Sequence, residues 1–161
     1  GNTFLSRPYI DWQDKTQSAR WFEKLKQLWQ DKDLLIVEGE TSRSGVGNDL
    51  FDNAHSIKRI ICPARDAYAY IEQIQKAIIQ HAENRLILLM LGPTAKVLAY
   101  NLSELGYRAI DIGHIDSEYE WFKMGATEKV RFTHKHTADF NEDGIKLEND
   151  AAYEQQIICH I

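Results

Sequence analysis

Four short apolar runs constrain the fold more than any other feature of this chain. They are Leu34-Leu35-Ile36-Val37, Ile57-Lys58-Arg59-Ile60-Ile61, Leu86-Ile87-Leu88-Leu89-Met90-Leu91 and Ala109-Ile110-Asp111-Ile112. Three are continuous or nearly so, which suits strands buried on both faces, as in a parallel sheet. Helical spacing fills the intervals. Trp21, Phe22, Leu25, Leu28 and Trp29 share a face over residues 16–31, and Ile71, Ile74 and Ile78 do so over 67–81. Leu98, Leu102 and Leu105 do the same over 94–105, after which Gly106 supplies a stop. A fourth, short helix is expected from Ser117 to Met124, with Asp116 as its N-cap. Strand alternating with helix through short loops predicts an α/β fold: an open, mostly parallel sheet of about five strands, helices on both faces, joined by right-handed crossovers. Lys129-Val130-Arg131-Phe132-Thr133 alternates and is expected to be an edge or late strand. Residues 134–149 read as a long polar loop. Residues 151–161 can close the chain with a helix, because Tyr153, Ile157 and Ile161 then share a face.

A length of 161 residues favours one domain over 1–161, with 134–161 as a polar tail. With 43% hydrophobic and 27% charged residues, 9 Gly and 3 Pro, the chain is neither disordered, collagen-like nor built of repeats. The net charge of −5 argues against nonspecific nucleic-acid binding, which needs a basic face, while leaving room for a small phosphate pocket. Two cysteines, Cys62 and Cys159, make no disulfide framework, so a reducing, cytoplasmic setting is expected. The longest apolar run, Leu86 to Leu91, is too short to span a bilayer, and the first residues lack the apolar stretch of a signal peptide. The first residue is Gly1 rather than Met, so a processed product or a piece of a longer chain is expected.

Open α/β sheets bind ligands beyond the carboxyl ends of their strands. Four such ends bring glycines, carboxylates, two arginines and a histidine to one rim. Glu38 ends the first buried strand. A carboxylate there is paired, hydrogen-bonded, metal-bound or at the mouth of a site, with Arg43, Arg59 and Arg65 as candidate partners. The following loop, with Arg43, Ser44, Gly45, Gly47 and Asn48, either offers an arginine fork and backbone N–H groups to a phosphate or is a plain Gly/Ser loop before a helix capped by Asn48 or Asp49. It contains neither a Walker A loop nor a dinucleotide fingerprint. Gly92-Pro93-Thr94 opens a helix and either adds backbone donors for an anion, through Gly92 and Thr94, or simply starts the helix.

Asp111, His114, Asp116 and Glu118 form the densest polar cluster. Asp116, Glu118 and His114 have the donor types for Mg²⁺ or Mn²⁺, with His favouring Mn²⁺. Alternatively one of them is a general base, or the cluster divides into a helix cap, an exposed carboxylate and a packed histidine. His134, His136, Cys159 and His160 match no compact zinc spacing and read as a polar tail. Cys62 reads as a buried, inert thiol. Tyr119, Trp121 and Phe122 are open to two readings, stacking on a ligand ring or core packing.

Taken together, several of these motifs are familiar. Ser6-Arg7-Pro8-Tyr9, Val37-Glu38-Gly39-Glu40, Ser42-Arg43-Ser44-Gly45-Val46-Gly47-Asn48-Asp49-Leu50-Phe51, Leu91-Gly92-Pro93-Thr94-Ala95-Lys96 and Asp111-Ile112-Gly113-His114-Ile115-Asp116-Ser117-Glu118-Tyr119-Glu120-Trp121 resemble the bacterial glycosyltransferases of the GT-D fold. That family includes hexosyltransferases that extend O-glycans on serine-rich-repeat adhesins. The resemblance runs from Ser6 to about His136, and the long joint pattern is specific where each piece alone is weak.

The resemblance implies a Rossmann-like domain, a UDP-sugar donor with UDP-glucose first among candidates, a divalent metal (Mn²⁺ or Mg²⁺), and hexose transfer to a glycan acceptor on a glycoprotein. Under it, Arg43 with Ser44, Gly45, Gly47 and Asn48 contacts the diphosphate, and Gly92 and Thr94 add donors. Asp116, Glu118 and His114 are metal ligands or the acceptor base, and Glu38 orients Arg43 or a sugar hydroxyl. Family members are longer at the N-terminus, where a Gly-Asp-Gly-Glu segment carries an Asp-x-Glu associated with metal and nucleotide binding. This chain has no such segment; Asp116-Ser117-Glu118 has only the Asp-x-Glu form. The chain is therefore expected to resemble the C-terminal portion of the family and to lack part of the donor site. Two rivals stand beside this reading. One is a non-catalytic nucleotide- or phosphate-binding module, or a fragment inactive alone. The other is a Rossmann enzyme using a nicotinamide or methyl-donor cofactor, against which the missing fingerprint counts.

Overall fold

The structure is a computed structural model that describes residues 7–161. Ser6, the first residue of the resemblance, lies outside them. Ten regular elements follow in order: α1 (Ser18–Gln27), β1 (Asp33–Gly39), β2 (Ser56–Cys62), α2 (Ile71–His81), β3 (Leu86–Met90), α3 (Pro93–Glu104), β4 (Ala109–Asp111), α4 (Ile115–Met124), α5 (Ala151–Gln156) and β5 (Ile157–His160). Short 3₁₀ turns precede α1 and α2, at Lys15–Gln17 and Ala67–Tyr70. The five strands form one open sheet in the order β4-β3-β1-β2-β5, parallel throughout. The expected α/β architecture is present.

The alternation of side chains along the central strands builds two cores. Leu34 and Ile36 of β1, with Leu86 and Leu88 of β3, face Phe22, Leu25 and Trp29 from the α1 side and Tyr119 and Trp121 of α4. Leu35, Val37, Ile87 and Leu89 face the other way, against Ile74 and Ile78 of α2 and Leu98 and Leu102 of α3. The helices thus cover both faces, which is why the strands read as unbroken apolar runs.

Three expectations need correction. Lys129 to Thr133 alternates but joins no strand. The indole Nε1 of Trp121 donates to the Val130 carbonyl, and the Thr137 hydroxyl accepts from the Phe132 N–H, so side chains satisfy the backbone that a ladder would have used. The fifth strand is β5, which takes the open edge of β2, Arg59 opposite Ile157. The C-terminal helix consequently ends at Gln156, where Ile157 turns to an extended conformation. The first helix also stops early, at Gln27 rather than Asp31. Trp29 turns in to donate its Nε1 to the Leu50 carbonyl at 3.0 Å, and Asp31 takes a left-handed φ of 56°.

The connections define where a ligand can enter. The β1–β2 crossover carries no helix; it runs over the α1 face, burying Leu50 and Phe51 there. The chain leaving β3 goes to α3, on the opposite face. β1 and β3 are neighbours whose outgoing connections part to opposite sides, which makes a topological switch point at their carboxyl ends.

Candidate functional site

A cavity of about 570 Å³ opens at that switch point. Its walls come from every loop that leaves the sheet there: Gly39, Ser42 and Ser44 after β1, Pro63 and Ala64 after β2, Met90 to Thr94 after β3, and Gly113, His114, Asp116 and Ser117 around the start of α4. His136 and Glu142 close the remaining side. The segment read from sequence as a polar tail therefore returns over the rim. It is stitched down by the His136 N–H to the Thr41 carbonyl at 2.8 Å and by the Ala138 N–H to the Ser117 hydroxyl at 2.9 Å.

Two buried ion pairs hold the β1 loop. Glu38, wholly buried, accepts from Nη1 of Arg59 at 2.8 Å and from the Ser44 N–H at 3.1 Å, while Nη2 of Arg59 donates to the Ser44 carbonyl at 2.9 Å. Asp116 accepts from the Gly45 N–H at 2.8 Å and pairs with Lys135 at 2.9 Å; Nζ of Lys135 also donates to the Val46 carbonyl at 2.9 Å. Asn48 donates its amide to Asp116 and Glu120. Lys135 is completely buried. Gly45 has φ +80°, and a Cβ placed there would lie 2.6 Å from the Phe51 ring, so the tight turn requires glycine twice over.

These contacts occupy the groups expected to bind a phosphate. The Ser44 and Gly45 N–H groups are already taken by carboxylates, and those of Val46 and Asn48 by carbonyls of Arg43 and Gly45. Gly47, with φ +84°, has the ring of His134 3.8 Å from where its Cβ would be. Arg43 does not fork into the cavity: it donates to the Glu148 carbonyl at 2.7 Å and lies over the Tyr153 ring, which Arg59 covers as well. Glu38 thus orients Arg59, not Arg43. No helix follows Asn48; turns run to β2.

Free backbone donors sit instead at two helix starts. Gly92 precedes α3 at φ +58°, ψ −142°, a conformation open to glycine, and a Cβ there would meet nothing within 4 Å. Neither α3 nor α4 has a side-chain cap on its first turn, and both first turns border the cavity. Of these first-turn N–H groups, those of Thr94, Asp116 and Ser117 have no partner among the described residues and face the same space; Pro93 carries none, and Ala95 and Ile115 donate to the Gly92 and Ile112 carbonyls.

The acidic cluster divides. His114, not Asp116, is the N-cap of α4; Asp116 stands inside the helix and turns to the β1 loop. Glu118 points away from the cavity and accepts from the Ile10 N–H at 2.7 Å. Among the described residues its other oxygen has no partner, and burial pushes its carboxyl up to about 7. Among the described residues no three His, Cys, Asp or Glu side chains are grouped to hold a metal, so Asp116, Glu118 and His114 do not fit a divalent ion as a set. His114 alone of the three lines the cavity without a recorded hydrogen bond of its side chain. Burial, then the nearby Arg7 charge, lowers its pKa and keeps the ring neutral near pH 7. Tyr119 and Trp121 are core residues, and Phe122 packs against that core. Cys62 is buried, and burial pushes its thiol up to about 12, far from a nucleophile. Lys135 is the residue that sequence reasoning missed, and His136, read there as part of a polar tail, closes the cavity instead; a single lysine in a polar stretch carries no periodic signal of burial.

The model of the family described as "Glycosyltransferase GT-D fold" matches residues 1–140. The chain is 67% identical over 162 residues to a probable glycosyl transferase Gly of Streptococcus gordonii, covering 100% of this chain and 24% of that protein. It is 60% identical to the glycosyltransferase GlyD of Streptococcus pneumoniae serotype 4, covering 100% of this chain and 20% of that one. It therefore spans a quarter or less of the curated relatives it matches. Among solved structures, a new glycosyltransferase from Streptococcus sanguinis superposes with a TM-score of 0.98 at 67% identity, over 100% of this chain and 60% of that one. The domain of unknown function 1792, described as having a distinct glycosyltransferase fold, superposes at 0.98 with 60% identity, over 99% and 58%.

Two stability outcomes follow from this geometry. Lys135→Ala leaves Asp116 without its buried cation, and urea unfolding should show a loss of about 3–5 kcal/mol; replacing both as Lys135→Met with Asp116→Leu should cost less than twice that. A loss below 1 kcal/mol, on the same order as an exposed pair, would contradict the buried pairing. For Glu118, the folded carboxyl lies near 7 against an ordinary 4.5. Between these values the folded state holds a proton that the unfolded state has released, so stability falls as pH rises through the window. The melting temperature of Glu118→Gln should match the parent below the lower value and exceed it increasingly up to the upper one; a pH-independent difference would refute the shift.

Proposed function

This chain belongs to the glycosyltransferases of the GT-D fold, and we propose that its cavity receives the diphosphate of a UDP-sugar from which a hexose passes to a glycan acceptor on a glycoprotein. The observation that carries this reading is the convergence of two uncapped helix starts, Gly92-Pro93-Thr94 and His114-Ile115-Asp116, on one cavity at the switch point of the sheet. Such starts direct unpaired N–H groups and positive dipole ends at a common anion. Thr94 adds a hydroxyl on the same wall. Glucose is the first candidate for the transferred sugar.

In this reading His114 is the acceptor base. A neutral imidazole at the cavity wall can take the proton of an attacking hydroxyl, a role that neither Asp116, committed to Lys135 and Gly45, nor Glu118, turned to Ile10, is placed to fill. Glu38 and Arg43 serve by shaping the loop. A divalent ion, Mn²⁺ or Mg²⁺, belongs to this reading as a companion of the diphosphate, with ligands other than Asp116, Glu118 and His114 as a set. A second reading, a non-catalytic nucleotide-binding module, is favoured by the divided acidic cluster.

The test uses the protein extended upstream, with UDP-glucose, Mn²⁺ and a glycan acceptor. His114→Ala should lower transfer by about 100-fold or more, with UDP affinity unchanged within about two-fold. Unchanged transfer would remove His114 from the chemistry, and no transfer from any UDP-hexose by the parent would favour the module.

A further inference from the structure

A second depression, of about 490 Å³, runs between α2 and α3 on the outer face of the molecule. Tyr68 and Val97 line both it and the switch-point cavity, so the two spaces adjoin at these side chains. Its walls combine flat apolar surface with planar polar groups. Tyr68 is 64% exposed, Val97 39% and Ile79 38%. Clustered exposure of large apolar side chains on a soluble surface marks a contact site. Here the rim is polar: Glu72, Gln75, Lys76 and Asn101 border the same depression. Asn101 donates its amide to the Gln75 side-chain oxygen at 3.0 Å. That bond fixes both amides and leaves an acceptor on Asn101 beside a donor on Gln75.

From this the geometry points to the groove between α2 and α3 as a binding site for a carbohydrate chain, the acceptor glycan whose terminal hydroxyl would enter the cavity past Tyr68; the acceptor role rests on the transferase reading above. A pyranose ring has a C–H face that lies on a phenol ring and an edge of adjacent hydroxyls that both donate and accept. Tyr68 supplies a ring with a polar tip, and the Gln75–Asn101 pair supplies a matched donor and acceptor. A protein partner would need a larger continuous apolar area than these residues offer. The groove is open to solvent, as suits a chain that continues beyond the site.

The groove is tested on the ¹⁵N-labelled chain by titrating maltotriose, cellotriose and chitotriose and following amide shifts. At least one should perturb Glu72, Gln75, Val97 and Asn101 with millimolar affinity. Tyr68→Ala and Asn101→Ala should each weaken it by about five-fold or more; Asn101 lines the groove and not the cavity, so its variant separates the groove from the donor site. No shift from any of the three sugars, shifts confined to other surfaces, or affinity unchanged in both variants would overturn the proposal. So would a tyrosine-dependent self-association in sedimentation, which would make the groove an interface between copies. UDP is titrated separately. A failure of UDP to perturb Thr94, with the groove shifts intact, would remove the donor reading and leave the sugar site standing.

Discussion

Three consecutive residues, Ser44, Gly45 and Val46, are held through their backbones by two buried ion pairs, and the site depends on that arrangement. Glu38 and Arg59 take the N–H and C=O of Ser44; Asp116 and Lys135 take the Gly45 N–H and the Val46 carbonyl. Each pair would be expensive to bury alone, but each ion here finds hydrogen bonds beyond its partner, the condition under which a buried pair is tolerated. The pairs come from β1, β2, α4 and the segment after α4, so the loop is fixed with respect to four parts of the fold at once. Pairs of this kind set geometry more than they add stability.

This changes what the glycine loop does. A loop rich in Gly, Ser and Arg suggests an anion cradle, yet its donors are spent on internal carboxylates and its arginine on the C-terminal segment. In the proposed reading the anion is held at the starts of α3 and α4, where the Thr94, Asp116 and Ser117 N–H groups have no partner among the described residues. Neutral backbone groups and helix dipoles, rather than a cluster of arginines, then face the ligand, which agrees with a chain whose net charge is −5. The cavity and the groove between α2 and α3 share Tyr68 and Val97 in their walls, so in the proposed reading donor-side and acceptor-side chemistry meet at that edge.

What the sequence made legible was local. The apolar runs announced β1 to β4, helical spacing announced α1 to α4, and the strand ends announced the rim. What it concealed was pairing over distance. Periodicity cannot say that Arg43 will reach Glu148, 105 positions away, or that Glu38 will choose Arg59 over two other arginines. It misplaced the fifth strand for the same reason: Lys129 to Thr133 and Ile157 to His160 are both plausible strands, and only the open edge of β2 decides between them. The family resemblance carried the fold and the transferase class, and the position of Asp116 inside α4 was beyond both.

Amide hydrogen exchange at the rim tests the central claim most directly. In the ligand-free chain the Ser44 and Gly45 amides should exchange slowly, held by Glu38 and Asp116, while those of Thr94 and Ser117, in the uncapped first turns, exchange fast and slow down when UDP is added. Ser44 and Gly45 amides that exchange freely until UDP protects them would return the phosphate site to the glycine loop and contradict this account.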